Sequence, residues 1–416
     1  MSHTNTHDPT ASGFVALGVP PDLVAALAAR GITEPFPVQT LTIPDGLAGR
    51  DVCGKAQTGS GKTLAFGIPL IERTVHADQP EPHGLVLVPT RELCLQVAEA
   101  LRPLAEARGL TLAPVYGGAP MGAQIDRIHK GADLLVATPG RLIDLIDRKA
   151  VDVTHVDSVV LDEADQMADM GFLPQVHQIM RRVGGSPQVM LFSATLDGQV
   201  QGLINRYLND PVRHEVAMDG DIADEQTHRF LAVHHLDKPK VAARIIRSVK
   251  RTLVFVSTRH GADRVAEDLR KEGIDAHPIH GDLRQSDRER RLADFTEGRL
   301  AALVATNLAS RGLDISDVDV VLHYEPPQDY KAFIHRSGRT ARAGESGLVV
   351  TLVEWDEVEE VKRIQAASGL NYEIVKLFSN DDRLDDLVAH EPGVVAPRRT
   401  SDVELSRRFR SGRRRR

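Results

Sequence analysis

The sequence predicts two tandem α/β domains, each a mostly parallel sheet flanked by helices, followed by a flexible basic tail. Three observations carry this. Short apolar runs alternate with longer amphipathic stretches along most of the chain, the pattern of repeated βαβ units. The alternation lapses once, around residues 208–226, and then resumes. The length of 416 residues suits two such domains, at roughly 150 residues each, with terminal extensions.

Taken in order, residues 1–13 read as a disordered leader, polar and without the apolar stretch of a secretory signal. The first domain is expected over 14–212. Its buried strands are GLVLVPT (84–90), DLLVAT (133–138), SVVLDE (158–163) and QVMLFSAT (188–195), and a helix covers 91–107. Pro211 and an acidic, Gly-containing stretch mark a linker over 213–226. The second domain is expected over 227–380, with strands at 252–257, 301–306, 318–324 and 347–353 and a helix at 285–298. Trp355 falls on an expected helix after the last strand, where packing is its natural role. Residues 381–416, polar and then Arg-rich, are expected to lack a packed core.

Composition excludes several classes. The chain is 42% hydrophobic and 26% charged, ordinary for a soluble globular protein. No apolar run approaches the 18 or so residues of a membrane span. Cys53 and Cys94 cannot make a disulfide framework and lack zinc-ligand spacing, so they read as small core hydrophobes of a reducing cytoplasm. The net charge of −7 is uneven: residues 395–416 carry nine Arg against Asp402 and Glu404. A basic tail on an acidic body suits contact with nucleic acid or serves solubility.

Two local patterns point to phosphate chemistry. AQTGSGKT (56–63) lies between a strand-like and a helix-like segment, the setting of a phosphate-binding loop. Gln57, Thr58, Gly59, Ser60 and Gly61 form a turn whose amides point inward as an anion cradle. Lys62 can reach the β- and γ-phosphates, and Thr63 can offer its hydroxyl to Mg²⁺. Further on, an apolar strand ends in Asp162, Glu163 and Asp165. Asp162 is placed to hold Mg²⁺ through water, and Glu163 to orient or deprotonate the attacking water. Together they point to magnesium-dependent hydrolysis of a nucleoside triphosphate.

Asp162-Glu163-Ala164-Asp165 also spells the signature of the DEAD-box RNA helicases, and the chain resembles that family from about 14 to 370. The resemblance implies RecA-like domains, ATP with Mg²⁺ as cofactors, and RNA as partner. GITEPFPVQ (31–39) resembles the family's adenine-selecting motif: Gln39 would pair with the base and Phe14, upstream, would stack on it, while Phe36 stands where many relatives carry Thr. Pro89, Thr90, Arg91, Gly118, Thr138, Pro139, Gly140 and Arg141 match motifs that hold RNA through phosphate and ribose. Ser193 and Thr195 match the motif coupling hydrolysis to strand separation; their hydroxyls would bond Asp162 and Asp165.

In the second domain the resemblance assigns Arg259, Gly281, Gln285, Arg288 and Thr306 to RNA, and Gly312 and Asp314 to nucleotide. Asn307 and Ser310 depart from the usual Asp and Ala. HRSGRTARAG (335–344) supplies His335 as a bridging group, and Arg339 and Arg342 as arginine fingers for the γ-phosphate. The resemblance implies RNA-stimulated ATP hydrolysis coupled to local, non-processive unwinding, by a cytoplasmic monomer serving ribosomal or RNA-decay complexes. An ATP-gated RNA clamp and a DNA-directed translocase of the same superfamily remain as alternatives.

Overall fold

The apolar runs are the strands, and they are buried on both faces because helices cover both sides of each sheet. A computed structural model describes residues 13–56, 60–75, 81–196, 198–215, 226–307, 315, 318–340 and 347–389. The chain divides near residue 217 into two units.

In the first unit the described strands are β1 (Val52–Lys55), β2 (Gly84–Leu87), β3 (Leu112–Val115), β4 (Leu134–Ala137), β5 (Ser158–Asp162), β6 (Gln188–Ser193) and β7 (Val212–Glu215). They form a parallel sheet in the order β3-β4-β2-β5-β6-β1-β7. Alternate residues of one strand enter opposite cores. Val86 and Val88 pack with Phe66 and Leu101, while Leu85 and Leu87 pack with Leu142 and Ile179. Gly54 pairs in register with Phe192, and a β-carbon there would sit 2.6 Å from that ring, so only glycine fits. Cys53 and Cys94 are core residues, one on each face. Burial pushes their thiols up to about 11 and about 12, which keeps them unreactive.

The second unit repeats the pattern with β8 (Gln226–Ala232), β9 (Thr252–Val256), β10 (Ala276–Ile279), β11 (Ala302–Thr306), β12 (Val320–His323), β13 (Gly347–Val353) and β14 (Ile374–Lys376). Its order, β10-β11-β9-β12-β13-β8-β14, is the same permutation as the first sheet, again parallel. In each unit the strands' carboxyl ends therefore share one edge, where open α/β sheets bind ligands.

Three expectations are corrected. Residues 213–215, read as linker, belong to β7, whose backbone pairs with β1. The packed part of the second unit continues past 380: a 3₁₀ turn at Asp382–Asp385 buries Leu384, and Leu387 follows it into the core. Arg229 Nε donates to Leu387 O at 2.7 Å, and Arg244 pairs with Asp382 and Asp385, so ion pairs and carbonyl contacts fix this segment. Trp355 is not packed. It lies in the turn after β13, 69% exposed, with Lys376 Nζ 5.1 Å from the ring centre; the cation satisfies one face while water keeps the other. The leader to residue 12, residues 216–225 of the linker and the Arg-rich tail from 390 lie outside the described residues.

Candidate active site

The half of the first sheet's edge assigned to nucleotide is built from the ends of β1, β5 and β6. Gln57, Thr58 and Gly59 lie outside the described residues, but the end of the loop is described. Gly61 takes φ +88° and opens the helix Lys62–Arg73, whose first-turn amides it leaves unblocked. Ser60 precedes it and Thr63 follows on the first turn. Lys62 is buried, with Nζ 2.8 Å from Glu163 Oε1 and 3.2 Å from Ala56 O.

Asp162 ends β5, and its Oδ1 accepts the Glu163 amide at 3.0 Å. Glu163 itself adopts φ 52°, ψ 49°. A left-handed non-glycine residue costs of order 1 kcal/mol, and here it swings the carboxylate from the strand end toward Lys62. Burial pushes the Asp162 carboxyl up to about 7 against the pull of Lys62, with Glu163 and Asp165 adding to the rise. Burial pulls Lys62 down, but the charges of Glu163, Asp162 and Asp165 outweigh it and hold the ammonium above its ordinary value. Among the described residues, Lys62 thus stands beside three buried carboxyl groups, Asp162, Glu163 and Asp165.

Ser193, at the end of β6, accepts the Asp165 backbone amide at 3.1 Å rather than bonding a carboxylate as expected. The helix Ala164–Asp169 starts there, and its first amides need an acceptor. Thr195 Oγ1 is buried without a hydrogen-bond partner among the described residues.

The base end of the site also differs from expectation. Phe14 is fully buried in the core, so its ring offers no face to a base. Gln39, 1% exposed, donates Nε2–H to Gly61 O at 2.9 Å and accepts the Phe36 amide on Oε1 at 2.8 Å. It therefore ties the start of the helix Pro37–Leu47 to the phosphate loop.

The other half of the same edge gathers the residues assigned to RNA, because β2, β3 and β4 are neighbours. After β2, following Pro89, Thr90 caps the helix Arg91–Ala107 through Oγ1, accepting the Leu93 amide at 3.2 Å. Arg91 lies 4.9 Å over the Tyr116 ring at the end of β3, a partner that sequence reasoning missed. Gly118 takes φ +80°, and a β-carbon there would lie 3.5 Å from Arg91 Nη1. After β4, Thr138, Pro139 and Gly140 open the helix Pro139–Asp147, and Arg141 Nη1 donates to Ala119 O at 3.1 Å. The three loops are thus linked to one another.

In the second unit Thr258 caps the helix Arg259–Lys271, its Oγ1 accepting the Gly261 amide at 3.0 Å. Arg259 pairs with Asp282 at 2.5 Å, joining the loop after β9 to exposed Gly281 after β10; Asp282 was not expected. Arg288 Nη1 lies 3.4 Å from Gln285 Oε1, one turn apart on the helix Gln285–Thr296. Thr306 ends β11, and Asn307 Oδ1 accepts Arg336 Nε at 2.5 Å, so the uncharged Asn still holds that guanidinium. His335 lies in the last turn of the helix Tyr330–Ser337, and Arg339 follows two residues past its end, largely buried. Ser310, Gly312, Asp314 and Arg342 lie outside the described residues.

Comparison with known proteins agrees with this layout. Residues 36–203 match the DEAD/DEAH box helicase family model, and 237–344 match the helicase conserved C-terminal domain. The DEAD-box ATP-dependent RNA helicase CshA of Bacillus subtilis is 37% identical over 366 residues, covering 88% of this chain and 74% of that protein. The chain belongs to the DEAD-box helicase family. Mitochondrial DEAD-box ATP-dependent RNA helicase 9 of Arabidopsis thaliana is 39% identical over 86% of this chain, which spans 60% of that relative. The chain likewise spans 62% of the rice DEAD-box ATP-dependent RNA helicase 53. Among solved structures, S. cerevisiae Dbp5 bound to RNA and ADP BeF3 superposes with TM-score 0.78 at 27% identity, over 91% of this chain and 98% of that one. Tandem RecA-like domains are therefore the fold of this DEAD-box chain.

Proposed function

We propose that the chain is an RNA-stimulated ATP hydrolase that couples turnover to local, non-processive separation of short RNA duplexes or to remodelling of RNA–protein complexes. One observation carries this. A single sheet edge holds the buried Lys62–Asp162–Glu163 cluster after β1 and β5, beside linked hydroxyl, glycine and arginine groups after β2, β3 and β4. The family relationship supports ATP and RNA as the two ligands.

Lys62 acts first in this reading. Its ammonium is held by Glu163, and a triphosphate offers it a stronger anion. That exchange releases Glu163 to accept a proton from the water attacking the γ-phosphorus, as the bond to the β–γ bridging oxygen breaks and ADP leaves. The three clustered carboxyl groups, with Asp162 held high by burial and by its acidic neighbours, fit a divalent cation arriving with the nucleotide. Asp162 and Thr63 would hold magnesium, which when bound neutralises phosphate charge. Phosphate and ribose contacts imply little base preference. A cytoplasmic monomer acting on ribosomal or decay-linked RNA completes the reading.

The test is strand separation of short and long RNA duplexes with ATP. Release of the short duplex alone, dependent on ATP, is expected. Equal opening of long duplexes contradicts the non-processive reading.

A further inference from the structure

Exposed large apolar side chains of the second unit gather at one end of its sheet: Leu236 follows β8, Trp355 follows β13 and Phe378 follows β14, three adjacent strands. Beside Trp355 lies a groove of about 610 Å³, between these strand ends and the helix Val358–Ala367. Its walls are mainly apolar, with Val233, Val353, Val358, Leu370 and Ile374. One polar wall group stands out. Gln365 is 3% exposed; its Oε1 accepts the Tyr372 amide at 2.7 Å, and its Nε2 has no acceptor among the described residues. Buried amide donors are normally satisfied, so the groove suits an occupant that brings a carbonyl oxygen.

The rim is acidic. Residues 354–376 carry six carboxylates against three cations, and Asp356, Glu359 and Glu373 are exposed. Lys362 already pairs with Glu359 at 2.9 Å, and Lys376 lies 5.1 Å and 5.5 Å over the Trp355 and Phe378 rings. Trp355 keeps its other face for a second cation. A peptide with an apolar anchor between arginines meets the walls, the amide and the rim together, whereas a polyanion is repelled by the rim.

We propose that this groove receives the chain's own Arg-rich tail. Phe409 enters between the apolar walls, Arg408 and Arg410 meet the acidic rim and the open face of Trp355, and a backbone carbonyl of the segment accepts from Gln365 Nε2. Phe409 is the one aromatic residue of the tail, which lies outside the described residues. Arg407 stands eighteen positions beyond Ala389, the last described residue. A chain of that length without structure of its own spans about 20–25 Å, which gives its end a local concentration of order mM. A contact with Kd about 0.1 mM then keeps about nine-tenths of chains docked. Docking holds the tail's charge against the protein and away from any polyanion. The inference is independent of the ATP-dependent reading above.

Trp355 is the one tryptophan of the chain, so its quenching by acrylamide reads the groove in the whole protein. Two variants test it: Arg408→Ser, Phe409→Ser and Arg410→Ser combined, and Glu373→Lys, which reverses an exposed rim charge. Both should make Trp355 several-fold more quenchable than in the parent. A synthetic peptide of residues 405–416 should restore shielding in the first variant and not in the second. Trypsin cleavage after Arg410, followed by mass spectrometry, should quicken in Glu373→Lys and in Trp355→Ala. Equal quenching in parent and variants overturns the proposal. Shielding that is lost on dilution also overturns it, since a second copy's tail would then fill the groove. So does a Trp355 indifferent to the tail variant but shielded by single-stranded RNA.

Discussion

Lys62 and Lys238 each open the helix after the first strand of their unit, and both are buried, but they meet different partners. Lys62 faces Ala56 O and Glu163, at the carboxyl end of β5. Lys238 faces Glu354 at 2.8 Å and Glu357 at 3.8 Å, and lies 5.4 Å over the Tyr324 ring. The loop before Lys62 is glycine-rich; the loop before Lys238 reads Val233-His234-His235-Leu236-Asp237 and has no glycine to turn amides inward. One strand order thus carries the proposed nucleotide site in one unit and a structural ion pair in the other. The halves proposed to face RNA behave oppositely. Thr90–Arg91 and Thr258–Arg259 are the same device, a threonine cap followed by an arginine, after the second strand of each sheet. The comparison teaches that the edge proposed for RNA is repeated and the edge proposed for nucleotide is not.

The sharpest way to break this comparison is Glu163→Gln. The account expects hydrolysis to fall about 10²- to 10⁴-fold, the usual worth of a general base, in steady-state assays. Binding of ATP and RNA should persist, since the substitution also loosens the hold on Lys62. Normal turnover removes Glu163 from its role.

The two lysines give the next contrast. Lys62→Ala should abolish ATP binding by calorimetry. Lys238→Ala should leave one nucleotide bound per chain and instead lower the stability of the second unit. Glu354 is 33% exposed and can be rehydrated, so the loss should be about 1–2 kcal/mol, less than for a fully buried pair. Loss of nucleotide binding in Lys238→Ala would mean that the second unit holds a nucleotide site of its own.

The repeated device predicts matched effects. Arg91→Ala and Arg259→Ala should each weaken RNA binding at every sequence tested, and each should reduce the salt slope by about one. Arg259 must first leave Asp282, so Asp282→Asn should strengthen RNA binding modestly. A base-dependent loss in either arginine variant would contradict phosphate recognition.

How far the sequence was legible follows the same division. Continuous apolar runs such as Leu85–Val88 and Val254–Val256 announced central strands, because both faces are buried. The edge strands were hidden: β3 contains Pro114, which an edge tolerates, β7 alternates half-buried and exposed residues, and β14 has three residues. The phosphate loop and the acidic strand end were legible because their chemistry is local. Tyr116 under Arg91, and Asp282 beside Arg259, depend on strand order, which spacing does not carry. Phe14 and Trp355 were misjudged in opposite directions, since an aromatic at a given spacing does not disclose its burial.

The smallest expected effect is on stability against pH. His323 is wholly buried, with Nδ1 3.0 Å from Thr351 Oγ1. Burial, then the Arg336 and His228 charges, hold it well below the ordinary imidazole value. The folded second unit keeps it neutral while the unfolded chain protonates, so its contribution is present above about pH 6.5 and is lost as pH falls, at most about 1.4 kcal/mol per pH unit. Limited proteolysis between pH 7.5 and 5.5 should expose the second unit first; equal protection of both units would contradict this.

The most direct measurement is steady-state ATP hydrolysis without nucleic acid, with single-stranded RNA, and with DNA of the same sequence. The account expects strong stimulation by RNA and little by DNA. Equal stimulation by DNA, or none by either, would contradict it.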